Sequence, residues 1–63
     1  MYQDKTPEFF VGDLVEIYSP LSIHHGCFAL ILSGPNVYEV YTVLVQEDMT
    51  KRNFATGEIE RIN

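Results

Sequence analysis

Cysteine is almost missing from this chain, and the single Cys27 has no partner within it for a disulfide. Cysteines and histidines do not recur at the spacing of a structural zinc site either. Positive charge is scarce as well: four Lys and Arg against nine Asp and Glu leave a net charge of −5. Displacing counterions from nucleic-acid phosphates takes clustered Lys and Arg. The one adjacent pair here is Lys51-Arg52. Anionic membrane surfaces are disfavoured for the same reason. A basic protein surface is the more natural partner. No apolar run approaches the roughly 20 residues that span a bilayer. The four glycines are scattered, which leaves no phosphate cradle and no nucleophile elbow.

What is present suits a single small domain. The chain has 63 residues, 46% of them hydrophobic, with four phenylalanines and four tyrosines. A domain of this size buries only about 60% of its unfolded surface. That allows one core, without a deep enclosed active site beside it. Lacking disulfide or metal staples, such a domain gains stability by associating with a partner or another copy. Residues 1–8, polar and ending near Pro7, read as a flexible N-terminal arm without the apolar stretch of a signal peptide. A lone thiol fits a reducing cytoplasm.

From residue 9 onward the pattern is that of strands. Residues 11–19 alternate, with Val15 and Ile17 on one side and Asp13 and Glu16 at solvated positions. Pro20 ends this run, since it cannot donate to a ladder. Residues 27–32 form a short apolar run closed by Ser33-Gly34-Pro35-Asn36, the strongest turn signal in the chain. Residues 37–46 are rich in β-branched and aromatic side chains, with Val37, Tyr41, Val43 and Val45 on one face and Tyr38, Val40 and Leu44 on the other. Residues 49–55 make a fourth strand anchored by Phe54, and 58–62 a closing helical turn or short strand. The expected fold is all-β: a small barrel of four to five antiparallel strands over residues 9–63, with Val15, Ile17, Ala29, Ile31, Val40 and Phe54 in its core.

The series Gly12-Asp13-Leu14-Val15-Glu16-Ile17, Gly26-Cys27-Phe28-Ala29-Leu30-Ile31-Leu32, Val37-Tyr38-Glu39-Val40 and Glu58-Ile59-Glu60-Arg61-Ile62 resembles the Src-homology-3-like (SH3-like) barrels of KOW and translation-protein type. Many small bacteriophage-encoded proteins are built this way. The resemblance spans residues 9–62 and rests on short motifs. Ala29 stands where a KOW motif favours glycine, and the basic loop is missing. Neither tryptophan nor a tyrosine pair beside an acidic loop is present, so the peptide groove of signalling domains is not supported. What the resemblance implies is therefore a fold and a setting, the virion or the host-cell cytoplasm, rather than a ligand.

Four constellations are candidates for chemistry. His24-His25-Gly26-Cys27 holds metal-type ligands, but adjacent histidines diverge while a metal needs three or four donors converging on a point. Cys27 with either histidine could make a nucleophile–base pair, though such pairs meet across a cleft that so small a barrel lacks. Glu58, Glu60, Glu47 and Asp48 read as solvated charges guarding strand ends. Tyr18, Pro20, Tyr38 and Tyr41 are the candidate protein-interaction surface, since tyrosine buries a large area at low entropy cost and keeps a polar tip. The expectation is a non-enzymatic interaction module with no catalytic, cofactor-binding or metal residues. It would dock on a basic protein surface, or self-associate as a homo-oligomer or part of a larger assembly. Such a module would suit a small structural or accessory component of a virion (capsid, neck or tail). Two alternatives are a nucleic-acid or ribonucleoprotein accessory, as KOW likeness implies, and an acidic inhibitor of a host protein.

Overall fold

The computed structural model describes residues 8–62. Five strands follow one another: β1 (Leu14–Ile17), β2 (Phe28–Ser33), β3 (Val40–Val45), β4 (Thr50–Ala55) and, after a 3-10 turn at Thr56–Glu58, β5 (Ile59–Arg61). They form one antiparallel sheet in the order β4-β3-β2-β1-β5. A flat sheet of five strands would hold its edges about 19 Å apart. The backbone from Ala55 to Ile59 reaches at most about 14 Å. The sheet therefore curls until its two edges face each other across the 3-10 turn, although no ladder closes them. A register shift between Ile31 and Ser33 adds to the curvature at β2. Among the described residues no helix is long and apolar enough to cross a membrane.

The centres of the strands lie where alternation places them, and their ends are set by turns. β1 starts only at Leu14 because Phe10–Asp13 is a turn. Asp13 N–H donates to the Phe10 carbonyl (2.9 Å), and the Asp13 carboxylate accepts from Phe10 N–H (2.9 Å). Gly12 takes φ +95° within it, a conformation costly for any residue with a Cβ. β3 starts at Val40 rather than 37 because Asn36 captures the chain. Its Oδ1 accepts from the N–H groups of Tyr38 (2.8 Å) and Val40 (3.1 Å). Gly34, at φ +115°, lies so close to β3 that a Cβ would sit 3.0 Å from the Cα of Tyr41.

The core is formed by Phe9, Val15, Ile17, Ala29, Ile31, Tyr41, Val43, Val45, Phe54 and Ile59. Two expectations need correction here. Val40 is only half-buried, because β3 turns Tyr41, Val43 and Val45 inward and leaves Val40, Thr42 and Leu44 on the outer side. Tyr41 belongs to the core, at 1% exposure, and not to an interaction surface. Val37 and Tyr38 lie outside the strand and are exposed. Phe9 caps the interior edge-to-face on Tyr41, with ring centroids 5.4 Å apart. The Arg61 guanidinium covers Phe9 from outside at 5.6 Å and bonds Asp13 (2.9 Å) and the Glu8 carbonyl. The arm expected over residues 1–8 lies outside the described residues except for Glu8.

Candidate interaction surfaces

Two surfaces stand out, one on the outer face of the sheet and one at the end where the β1–β2 and β3–β4 connections meet. On the outer face the pairing aligns Leu14 with Leu30 and Leu30 with Leu44, and the row ends on β4 at Lys51. Leu14 is exposed, and Leu30 and Leu44 are half-buried. Beside that row lie Phe28, half exposed, and Glu16 opposite it. Glu16 in turn faces Glu60 of β5 directly. Like charges placed opposite each other on a sheet repel. Lys51 makes no hydrogen bond or ion pair among the described residues. The face thus runs from negative at β5 and β1, through an apolar middle, to positive at β4.

The second surface is built by the turns following β1. Ser22 N–H donates to the Ser19 carbonyl (2.8 Å) and His25 N–H to the Ser22 carbonyl (3.1 Å). These bonds fix a compact segment whose outward side chains are apolar: Leu21 is fully exposed, Ile23 nearly so, and Tyr18 is 60% exposed. Pro20 is exposed beside them. The two histidines part ways. His24 turns in, 5% exposed, and its Nε2 lies 3.2 Å from the Asp48 carboxylate, tying this segment to the β3–β4 turn. His25 turns out, its Nδ1 accepting from Ser19 N–H (3.1 Å) and its ring lying 5.2 Å from that of Tyr18. Among the described residues no three His, Cys, Asp or Glu side chains converge as a metal site would require.

The thiol beside this tie is held protonated. Cys27 Sγ–H donates to Glu47 Oε1 at 2.8 Å. That bond, with desolvation and the negative charges of Glu47 and Asp48, pushes the thiol pKa up. A reactive thiol needs the opposite. The Asp48 carboxyl is pulled below its ordinary value, first by the Thr50 hydroxyl (2.7 Å) and then by His24. Glu58 is not a free surface charge. Its two oxygens accept from Ala55 N–H (2.9 Å) and the Ser19 hydroxyl (3.1 Å), and its carbonyl accepts from Tyr18 N–H (2.7 Å).

Of the four residues singled out from sequence, Tyr18 and Pro20 share the end surface. Tyr38 stands apart on the β2–β3 turn at 80% exposure, and Tyr41 is interior. Leu21 and Ile23 were missed. The available signal was two apolar residues inside a segment already marked as a turn by Ser19, Pro20 and Ser22. Leu14 and Phe28 were missed as a surface because their alignment beside Leu30 and Leu44 depends on register. No protein-family model, no curated protein and no solved structure matches this chain.

Proposed function

We propose that this chain is a non-enzymatic protein-interaction module that docks through the ledge formed by Tyr18, Pro20, Leu21 and Ile23. The observation that carries this reading is the full exposure of Leu21 beside an exposed Ile23 and Tyr18 on a segment pinned by the His24–Asp48 contact. Large apolar side chains held rigid and together are costly to leave in water, and they lose little entropy when a partner covers them. Two residues before Tyr18 lies the Glu16–Glu60 pair, so the partner we infer is a protein with a basic surface flanking an apolar pocket.

The setting we infer is a larger assembly, as a small structural or accessory component of a bacteriophage particle. That rests on the resemblance to SH3-like proteins of this size. The strand order β4-β3-β2-β1-β5, with a 3-10 turn ahead of the last strand, supports the SH3-like part of it.

Affinity capture tests the proposal. Immobilised protein should retain a basic protein that salt releases, and the double variant Leu21→Asp, Ile23→Asp should lose it while melting at the same temperature. Equal retention by the variant, or retention of nucleic acid instead of protein, would overturn the reading.

A further inference from the structure

The outer edge of β4 is open, and it is separate from the ledge. Thr56 N–H donates to the Glu39 carbonyl (3.0 Å), which sets the phase of the β3–β4 ladder: Thr50, Arg52 and Phe54 turn their backbone groups toward β3. Lys51, Asn53 and Ala55 turn theirs away. Ala55 N–H is taken by Glu58 Oε1 (2.9 Å). Lys51 and Asn53, about 7 Å apart along the strand, keep N–H and C=O groups that pair with no backbone among the described residues. Two cations flank this edge. Lys51 lies opposite Leu44 on the outer side of the sheet, and Arg52 opposite Val43 on the inner side, where it is nonetheless exposed. Neither side chain makes a hydrogen bond or ion pair among the described residues, in a chain of net charge −5. We propose that the β4 edge takes up an extended acidic segment of a partner protein as an added strand, with carboxylates meeting Lys51 on one side of the sheet and Arg52 on the other.

The occupant follows from backbone and charge together. The unpaired groups alternate donor and acceptor at strand spacing, which another peptide backbone matches. A phosphate chain offers acceptors only. A basic strand would be repelled by Lys51 and Arg52, and an apolar one would cover them without a counter-charge. Charged residues at an edge, one of them turned inward, ordinarily keep strands apart. Here they keep out every strand but an acidic one. A second copy does not fit: its β4 brings the same two cations, and its β5 is three residues long with Ile59 N–H already held by the Thr56 carbonyl. On an added strand the residues opposite Lys51 and Arg52 are neighbours, so the segment carries two adjacent carboxylates.

The test is a titration of the isotope-labelled protein, followed through its amide NMR signals. The probe is a blocked hexapeptide in which two adjacent glutamates are flanked by threonine and valine. Up to about 1 mM of it should move the amides of Lys51 and Asn53 and slow their hydrogen exchange. The peptide with lysines in place of the glutamates should not bind. The double variant Lys51→Glu, Arg52→Glu should reverse that preference, a swap that loss of folding cannot produce. Methylating the backbone amide of one glutamate should weaken binding about tenfold, and methylating the other should change it by less than about twofold, because only alternate residues of an added strand turn toward β4. Amides of Lys51 and Asn53 that the diglutamate peptide leaves unmoved overturn the proposal. So does an unreversed preference in the double variant, an equal effect of the two methylations, or a single-stranded oligonucleotide that moves these amides in the peptide's place. The ledge variant Leu21→Asp, Ile23→Asp should leave peptide binding intact, so failure here and failure of the docking proposal are read separately.

Discussion

Phe9 and Tyr41, 32 positions apart, are joined twice: their rings meet edge to face at 87°, and Phe9 N–H donates to the Tyr41 hydroxyl at 3.3 Å. The polar tip of an interior tyrosine thus satisfies the backbone of the residue that caps the core. Tyr41→Phe keeps the ring and removes only the acceptor, and should cost about 1 kcal/mol in urea unfolding. Tyr41→Ala also opens a cavity beneath Phe9 and should cost about 3–5 kcal/mol. For a domain of this size the larger loss approaches the whole stability. If Tyr41→Ala melts like the wild type, Tyr41 is not the centre of the core.

Asp48 makes stability depend on pH on the acid side. Its carboxylate is stabilised in the folded protein by Thr50 and His24, so its folded pKa lies below the ordinary 3.8. A group with a depressed folded pKa contributes stability above its unfolded value and loses that contribution as pH falls through the folded one. The wild type should therefore lose melting temperature below about pH 4 more steeply than Asp48→Asn. Parallel curves for the two proteins between pH 6 and 2 would remove Asp48 from the account.

Cys27 should be a sluggish thiol. With its proton held by Glu47, alkylation by iodoacetamide near neutral pH should run slower than for an unstructured cysteine. Glu47→Gln removes the charge that holds the proton and should speed the reaction. An unchanged rate in that variant would show that the hydrogen bond does not govern the thiol.

Gly34→Ala should destabilise by about 1–3 kcal/mol. The position has φ +115°, and the added methyl would meet two backbone atoms, the Tyr41 Cα and the Val40 carbonyl, at 3.0 Å. Neither can swing aside as a side chain would. Gly57→Ala is the control, because a Cβ there meets nothing and the backbone carries no positive φ.

The sequence made the interior of each strand legible wherever one face had to be apolar, as at Val15 and Ile17. Strand ends were not legible, because they depend on side chains that compete for backbone groups. Asn36 draws in the N–H groups of Tyr38 and Val40, and so turns a run that looks like strand from residue 37 into a loop. Both faces of 37–46 are apolar, so alternation alone does not say which one the core takes; β3 turns Tyr41, Val43 and Val45 inward and leaves Val40 only half-buried. Phe9 is buried only because the curled sheet leaves an end to close, a fact about tertiary shape. Tyr18 and Pro20 could be read as surface from the adjacent turn residues. The row that sets Leu14, Leu30 and Leu44 side by side requires the strand order and register, which no local pattern encodes.

The three-residue turn between β4 and β5 also sets the order in which the chain can assemble. The β2–β3 and β3–β4 pairs are neighbours in sequence and close small loops, whereas β5 must find β1, and the Arg61–Asp13 contact beside it joins residues 48 positions apart. Closing the longest loop costs the most chain entropy, so β5 docks last and leaves first. Each departure uncovers the free edge of β1, and with it a row of unpaired backbone groups ready to accept a strand from elsewhere. In hydrogen exchange, β5 and the β1 amides that pair with it should open well before those shared by β2 and β3.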